Sequence, residues 1–381
     1  MSKWRELSLL EVAKLTRGTE PGSGSYTDAT RGVRFLRVGD ITGKTDNRVY
    51  TDSSQLVLVS ATDVLLSLDG SPGHVITGHC GAISSGIRKV EPMERSEVSQ
   101  AWLRYALMSP AVQQTISRYT TGVTILHASS AVPHIRIPVP PLPEQERIVR
   151  ILGEAEALRR LRAKAEERTA TAIAAAFFNW FGDPTTNTME LPTVKLGDVA
   201  KLERGRFTPR PRNDPSYFDG EYPFIQTGDI SDSGGLLSTW RQTLNERGKA
   251  VSKEFPAGTI VFAIVGATIG ATAILQIPVF CTDSIVGIQV DQKYCFTEYV
   301  EFVLRARRPL LLAQAPDAAR ANLNLEILRD LLIPLPPLES QVKFVEHVAE
   351  IRALQAVQAA SRRRLDDLFQ SLLHRAFQGE L

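Results

Sequence analysis

The sequence predicts an α+β protein: two pseudo-symmetric domains of mixed strands and helices, separated by two long antiparallel helices that form a coiled coil. Three observations carry that expectation. The Pro-rich segment Ile137–Val149 returns 196 positions later as Ile333–Val345, with seven of thirteen residues identical. Each copy opens a proline-free stretch, Glu144–Asp183 and Glu339–Leu381, dominated by Ala, Leu, Glu, Arg and Gln, all strong helix formers. Each is preceded by a longer region of short β-like runs punctuated by Gly and Asp.

Composition excludes several classes. The chain has 381 residues, 43% of them hydrophobic, which is ample material for a core and unlike a disordered, collagen-like or disulfide-stapled protein. Lys and Arg number 44 against 42 Asp and Glu, so binding to a polyanion must come from local basic patches. Cys80, Cys281 and Cys295 are scattered and form no C-x-x-C pair, as expected of reduced thiols in the cytoplasm. Met1–Glu11 is charged and lacks the apolar stretch of a signal peptide. The uncharged run Thr259–Phe280 is long enough to raise the question of a membrane span. It is rich in Val, Ile and Thr, broken by Gly266 and Gly270 and stopped by Pro278, so two buried strands and a turn are expected instead. Its counterpart in the first copy, Val64–Val75, carries Asp69 and could not cross lipid. No membrane contact is expected.

In chain order, the first domain (1–136) offers strands at Val33–Val38, Val57–Val59 and Val64–Leu68 and a helix at Glu97–Met108. A collar and long helix follow (137–184). The second domain (185–332) repeats the pattern, with strands at Ile260–Val265 and Ile285–Val290 and a helix at Thr297–Arg307. A second collar and helix close the chain (333–381). Shorter echoes keep the same order: Val12–Gly18 matches Val199–Gly205, and Phe35–Ile41 matches Phe224–Ile230. A period this long means a duplicated domain rather than a solenoid. Proline fixes φ and denies the helix, so Pro138–Pro143 and Pro334–Pro337 are expected to be stiff extended collars, with Leu142 and Leu338 docking onto the protein. Beyond them, Ile148, Leu152, Ala155, Leu158, Arg162, Ala165, Thr169, Ala172 and Ala176 fall at steps of three and four. In the second helix Leu354, Val357, Ser361, Leu365, Leu368 and Leu372 do the same, which predicts a coiled-coil seam. A helix of about 38 residues is roughly 57 Å long, too long to bury itself against its own domain. The other copy supplies a partner helix; pairing with a second chain is the alternative.

No catalytic motif stands out. Gly266–Thr272 has glycines but no Lys and is not a phosphate loop, and neither G-x-S-x-G nor H-E-x-x-H occurs. Asp283 with Asp291-Gln-Lys293 resembles a minimal nuclease pattern but has no counterpart in the first copy. His74, His79 and Cys80 have loosely metal-like spacing without an evident fourth ligand. What remains are polar, basic, Gly-rich loops of the kind that read DNA. In the first copy the candidates are Arg37, Lys44, Ser71, His74, Arg88 and Thr124. In the second they are Arg206, Arg210, Arg212, Gln226, Thr227, Lys249, Lys253, Thr268, Arg320 and Asn322. Arg and Lys neutralise phosphates, while Arg, Gln and Asn read base edges. For any one of them a solvated surface side chain is the plainer alternative; the clustering in both copies is the stronger signal.

Along essentially its whole length the chain resembles the specificity subunit of type I restriction-modification systems. The resemblance rests on Ile-Pro-x-Pro-Pro-Leu-x-x-Gln at Ile137–Gln145 and Ile333–Gln341. It is supported by Val38-Gly-Asp-Ile41 and Thr227-Gly-Asp-Ile230, and by Phe181-Gly-Asp-Pro184 and Ala376–Leu381 at the helix ends. It implies two target-recognition domains that read a bipartite, asymmetric site in double-stranded DNA, each followed by a spacer helix. It also implies two modification subunits that methylate adenine with S-adenosylmethionine, and a restriction subunit that can join, driven by ATP with Mg. The chain itself would hold no cofactor or metal and be catalytically silent. The two copies differ where Asp69-Gly-Ser-Pro-Gly73 stands against Val265-Gly-Ala-Thr-Ile-Gly270.

Overall fold

The computed structural model describes residues 4–43, 47–313 and 323–381. The chain forms two compact units, one of Met1–Lys164 with Gln358–Leu381 and the other of Ala165–Val357. Each unit therefore contains part of both long helices.

The two units repeat one sheet plan. In the first, Ala13–Arg17, Ile87–Pro92, Val64–Ser67 and Val75–Ile76 lie side by side in that order. A second sheet orders Tyr26–Thr27, Val49–Thr51, Val33–Leu36, Gly81–Ile83 and Leu58–Val59. In the second unit, Ala200–Arg204, Ile285–Val290, Ile260–Ala263, Thr272–Leu275 and Leu236–Leu237 form the matching first sheet. Gln242–Leu244, Phe218–Ile225, Val279–Cys281 and Lys253–Phe255 form the matching second one. At the centre of each second sheet runs a parallel pair: Ala82 opposite Phe35 and Ile83 opposite Leu36, then Phe224 opposite Phe280 and Ile225 opposite Cys281. The apolar run Thr259–Phe280 folds into the antiparallel strands Ile260–Ala263 and Thr272–Leu275 with all eight residues buried, as its β-branched content dictates. Among the described residues no helix is long and apolar enough to cross a membrane.

The repeated Pro-x-Pro-Pro-Leu-x-x-Gln motif has a physical explanation. Gln145 is wholly buried; its Oε1 accepts the Ser99 N–H (2.9 Å) and its Nε2 donates to the carbonyls of Glu97 (2.7 Å) and Pro140 (2.9 Å). Ser99 caps the helix Gln100–Met108, so the glutamine clamps collar to domain helix. Gln341 repeats this, accepting the Phe296 N–H (3.0 Å) and donating to Pro336 (2.9 Å) beside the helix Thr297–Ala306. An aromatic group completes each clamp: Trp102 Nε1 donates to the Pro138 carbonyl and the Tyr299 hydroxyl to that of Pro334, both at 2.9 Å. Leu142 and Leu338, expected to dock, are instead exposed. They start the helices Leu142–Ala170 and Leu338–Gln378, while Ile137 and Ile333 fill the core.

The long helices pair antiparallel within each unit. In the first, Ile148, Leu152 and Ala155 share a core with Phe369, Leu373, Ala376 and Phe377, and Phe377 packs on Trp102 with ring centroids 4.7 Å apart. Arg159 bonds Asp366 at 2.6 Å and lies over the Phe369 ring. In the second, Phe177 and Phe181 pack with Phe344 and Val348, and the Gln355 side-chain amide donates to the Thr169 carbonyl (2.8 Å). In-chain pairing is thus realised. The register differs from the expected seam: Leu158, Leu354, Val357 and Leu368 are exposed, while Ile351, Gln358, Phe369 and Leu373 are buried. The first helix keeps its expected Ile148, Leu152 and Ala155 in the core, while the buried line of the second is displaced by one position and carries the polar contacts Arg159–Asp366 and Gln355–Thr169. The first helix also breaks at Thr171 and resumes as Ala172–Phe181, where Phe177 enters the core and Ala176 packs partly buried against it.

Another clamp joins domain helix to long helix in the first unit. Arg104 donates to both Glu156 oxygens, one at 2.7 Å, and the Tyr105 hydroxyl to one of them at 3.0 Å. Burial pushes the Glu156 carboxyl up, but Arg104 outweighs it and holds the group below its usual range. Burial and the Glu156 charge together push the Tyr105 hydroxyl up to about 12.

Candidate nucleic-acid interface

The parallel strand pairs create the same platform twice. Val33–Leu36 ends at Arg37, and Phe218–Ile225 ends at Gln226. Beyond each lies a short helical turn, Val38–Ile41 or Thr227–Asp232, whose third residue is a buried aspartate. Asp40 Oδ2 accepts the Arg37 backbone N–H (2.9 Å) and Asp229 Oδ2 that of Gln226 (2.8 Å). Burial pushes the Asp40 carboxyl up, but the Arg37 N–H and the Arg34 guanidinium outweigh it and keep it below its usual range.

Next to each strand end lies the turn that leaves the parallel partner, Ser84-Ser85-Gly86 or Thr282-Asp283-Ser284. Arg17 Nε donates to the Ser85 carbonyl, and its repeat mate Arg204 Nε to the Asp283 carbonyl. The backbones meet so closely that a Cβ at Gly18 would lie 2.2 Å from the Ser84 carbonyl oxygen, and at Gly205 2.2 Å from that of Thr282. This contact accounts for the repeated Arg-Gly.

In the second unit this corner is strongly basic. Arg212 bonds both Asp283 carboxylate oxygens (2.6 and 2.8 Å), Arg210 lies 3.7 Å from one of them, and Arg206 donates to the Ser252 carbonyl. Lys253 pairs with Glu203 at 2.9 Å. Cations outnumber carboxylates here, and Arg206, Arg210 and Arg212 are all exposed, so the corner attracts a polyanion. Gln226 emerges from the adjacent parallel strand at the same sheet end, its Nε2 donating to Gln242 Oε1 (2.6 Å). Arg241, also exposed, pairs with Asp229 and Asp232 beside it.

In the first unit Arg37 Nε donates to Asp40 (3.3 Å) and Nη2 to the Asn47 carbonyl (3.0 Å). A cavity of about 490 Å³ opens nearby, lined among others by Arg34, Asp40, Arg48, Tyr50, His79 and Cys80. Among the described residues no group of three or more His, Cys, Asp or Glu is arranged to hold a metal.

The remaining candidates are dispersed. Arg88 is buried, donating to Ser85 O (2.6 Å), Ser129 Oγ (2.9 Å) and Asp69, so it braces the loop from inside rather than facing solvent. Ser71 and exposed His74 lie on that loop, where the Ser67 hydroxyl accepts the His74 N–H (3.0 Å). Exposed Thr124 sits in the hairpin closed by Thr121 and His127. Lys249 lies over the Tyr222 ring at 4.0 Å. Thr227 begins its short helix, and the Thr268 hydroxyl donates to the Val265 carbonyl (2.9 Å). Lys44, Arg320 and Asn322 lie outside the described residues. Sequence reasoning missed Arg241 and Gln242, which reach the platform only through strand pairing; Gln242 opposite Phe224 is a tertiary fact with no local signal.

The family model for the type I restriction modification DNA specificity domain matches this chain twice, at residues 1–167 and 189–356. The EcoBI specificity subunit of a type I restriction enzyme from Escherichia coli is 23% identical over 413 aligned positions, covering 99% of this chain and 86% of that protein. The MjaVIII specificity subunit from Methanocaldococcus jannaschii is 24% identical over 40% of this chain and 35% of its own length. Among solved structures, one reported for the assembly and conformational transition of a type I restriction-modification system superposes with TM-score 0.62 at 20% identity, covering 99% of this chain and 98% of its own. The specificity subunit from M. genitalium gives TM-score 0.55 at 15% identity, covering 99% and 96%. With the specificity domain matched in both halves and the fold shared along the chain, the protein belongs to the type I restriction-modification DNA specificity family.

Proposed function

We propose that the two units read two different half-sites of a bipartite, asymmetric sequence in double-stranded DNA, one half-site per unit. The observation that supports this most is the platform built twice on one plan with different side chains displayed on it: Arg37 and the Ser85 turn in one unit, Gln226 and the arginines around Asp283 in the other. Phosphate contacts from the exposed arginines would fix orientation, and strand-end side chains would read bases. The chain carries the recognition while two modification subunits methylate an adenine in each half-site with S-adenosylmethionine. A restriction subunit, driven by ATP with Mg, joins as a further partner. The long helices offer those subunits exposed charged and apolar side chains, Arg150, Leu158, Arg160 and Arg363 in the first unit and Glu167 and Val357 in the second.

The test is a domain exchange. Replacing residues 190–332 by the corresponding segment of another such protein, within the assembled complex, should change one half of the methylated sequence and leave the other intact. A change in both halves, or in neither, would refute the modular reading. The purified chain alone should neither methylate nor cut DNA; activity without partners would favour a stand-alone enzyme.

A further inference from the structure

We infer that Arg37 and Gln226 are equivalent specificity-determining residues, Arg37 selecting a guanine in one half-site and Gln226 an adenine in the other. The inference rests on the reading of each unit as a half-site reader and adds which side chain decides one base in each.

The equivalence is geometric. Both residues end the central parallel strand of their sheet, within matching sequences Phe35-Leu-Arg37-Val-Gly-Asp-Ile41 and Phe224-Ile-Gln226-Thr-Gly-Asp-Ile230. In both, a buried aspartate three residues on accepts the backbone N–H (2.9 and 2.8 Å). Both stand beside a turn carbonyl held by a repeated arginine, Arg17 or Arg204. Backbone and support are therefore duplicated, and at this position the side chain changes from Arg to Gln.

Those two side chains carry distinct major-groove preferences. A guanidinium offers two parallel donors that match guanine O6 and N7; a carboxamide offers a donor and an acceptor that match adenine N7 and N6. Each head group is also held by a neighbour. Arg37 commits Nε to Asp40 and one Nη2 hydrogen to the Asn47 carbonyl, which leaves donors on both Nη1 and Nη2. Gln226 commits one N–H to Gln242, and its exposed amide keeps an N–H beside the oxygen. Held side chains lose less entropy when they engage a base than free ones do. Arg88 lacks this disposition, since its guanidinium is turned inward.

The experiment substitutes Arg37→Gln and Gln226→Arg separately in the full chain. Each is expressed with its modification subunits, and methylated adenines in the host DNA are mapped by single-molecule sequencing. Arg37→Gln should convert or relax a single G·C position in one half-site, and Gln226→Arg a single A·T position in the other, each shifting preference by roughly 10- to 100-fold. An unchanged motif at normal methylation levels, or changes in both half-sites from one substitution, would overturn the inference. Should a variant lose methylation altogether, the purified complex is titrated against duplexes altered one position at a time. Lost discrimination at one position supports the inference, and uniform weakening at every position overturns it. A wild-type motif that is not bipartite would instead defeat the underlying half-site reading, so the two failures are distinguishable.

Discussion

Truncating Phe177 to alanine is expected to destabilise the unit Ala165–Val357 by about 3–5 kcal/mol, the range for removing a fully buried aromatic ring. Phe177 has no exposed surface and stands where helix, domain and collar meet. Its ring stacks on Phe302 at 4.2 Å and on Tyr299 at 5.5 Å, and meets Phe181 (5.2 Å) and Phe344 (5.5 Å) edge-on. Those neighbours belong to three separate helices, so the cavity cannot close by a single rotamer change, and the lost ring contacts add to the lost burial. Because a two-unit chain need not unfold in one step, the effect should be read by hydrogen exchange resolved along the sequence. Protection should fall in 165–357 and much less in 4–164. A loss below about 1 kcal/mol would mean that the ring cluster does not hold this unit together.

Gln145→Leu should cost about 2–4 kcal/mol in the first unit, although leucine is nearly isosteric and more apolar. The substitution removes three hydrogen bonds, leaving the buried Pro140 carbonyl and the part-buried Ser99 N–H and Glu97 carbonyl without that partner, and orphaned groups away from water carry the larger penalty. Gln341→Leu should act in the same direction on the second unit through Phe296 and Pro336, with one fewer bond at stake. Thermal unfolding of the full chain with amide exchange at Ser99 and Phe296 measures both. Stabilisation by either leucine would refute the clamp and reduce the repeated glutamine to a packing residue.

Much of the architecture was legible because duplication makes local signals confirm each other. The two Pro-rich collars, the proline-free helices and the strands at Val64–Ser67 and Ile260–Ala263 each have a mate in the other copy. The register of the second helix was not legible, although Ile148, Leu152 and Ala155 of the first are buried as their spacing predicts. Steps of three and four through Leu354, Val357 and Leu368 describe a consistent stripe, yet the buried line runs through Ile351, Gln358 and Phe369. Apolar spacing assumes that the seam is apolar throughout, whereas the partner helix offers Arg159 to Asp366 and a carbonyl at Thr169 to Gln355. The candidate interface was visible as composition but not as geometry. Arg37 and Gln226 lie at matching sheet ends of their own units, with Arg206, Arg210 and Arg212 near the turn at Asp283 in the second. Arg88, equally basic on paper, turns inward because Asp69 and Ser129, distant in sequence, meet it there. The turn at Ser85 and Asp283 that organises each platform has no sequence mark of its own, since its role arises from the parallel pairing of strands far apart in the chain.

The most direct measurement is the sequence methylated in cells that make the chain together with its modification subunits. Mapping modified adenines should give two unlike short half-sites, one methylated adenine on each strand, separated by a constant number of positions where any base is accepted. A single uninterrupted motif, two identical half-sites, or a gap that varies from site to site would contradict a duplicated reader of two different half-sites.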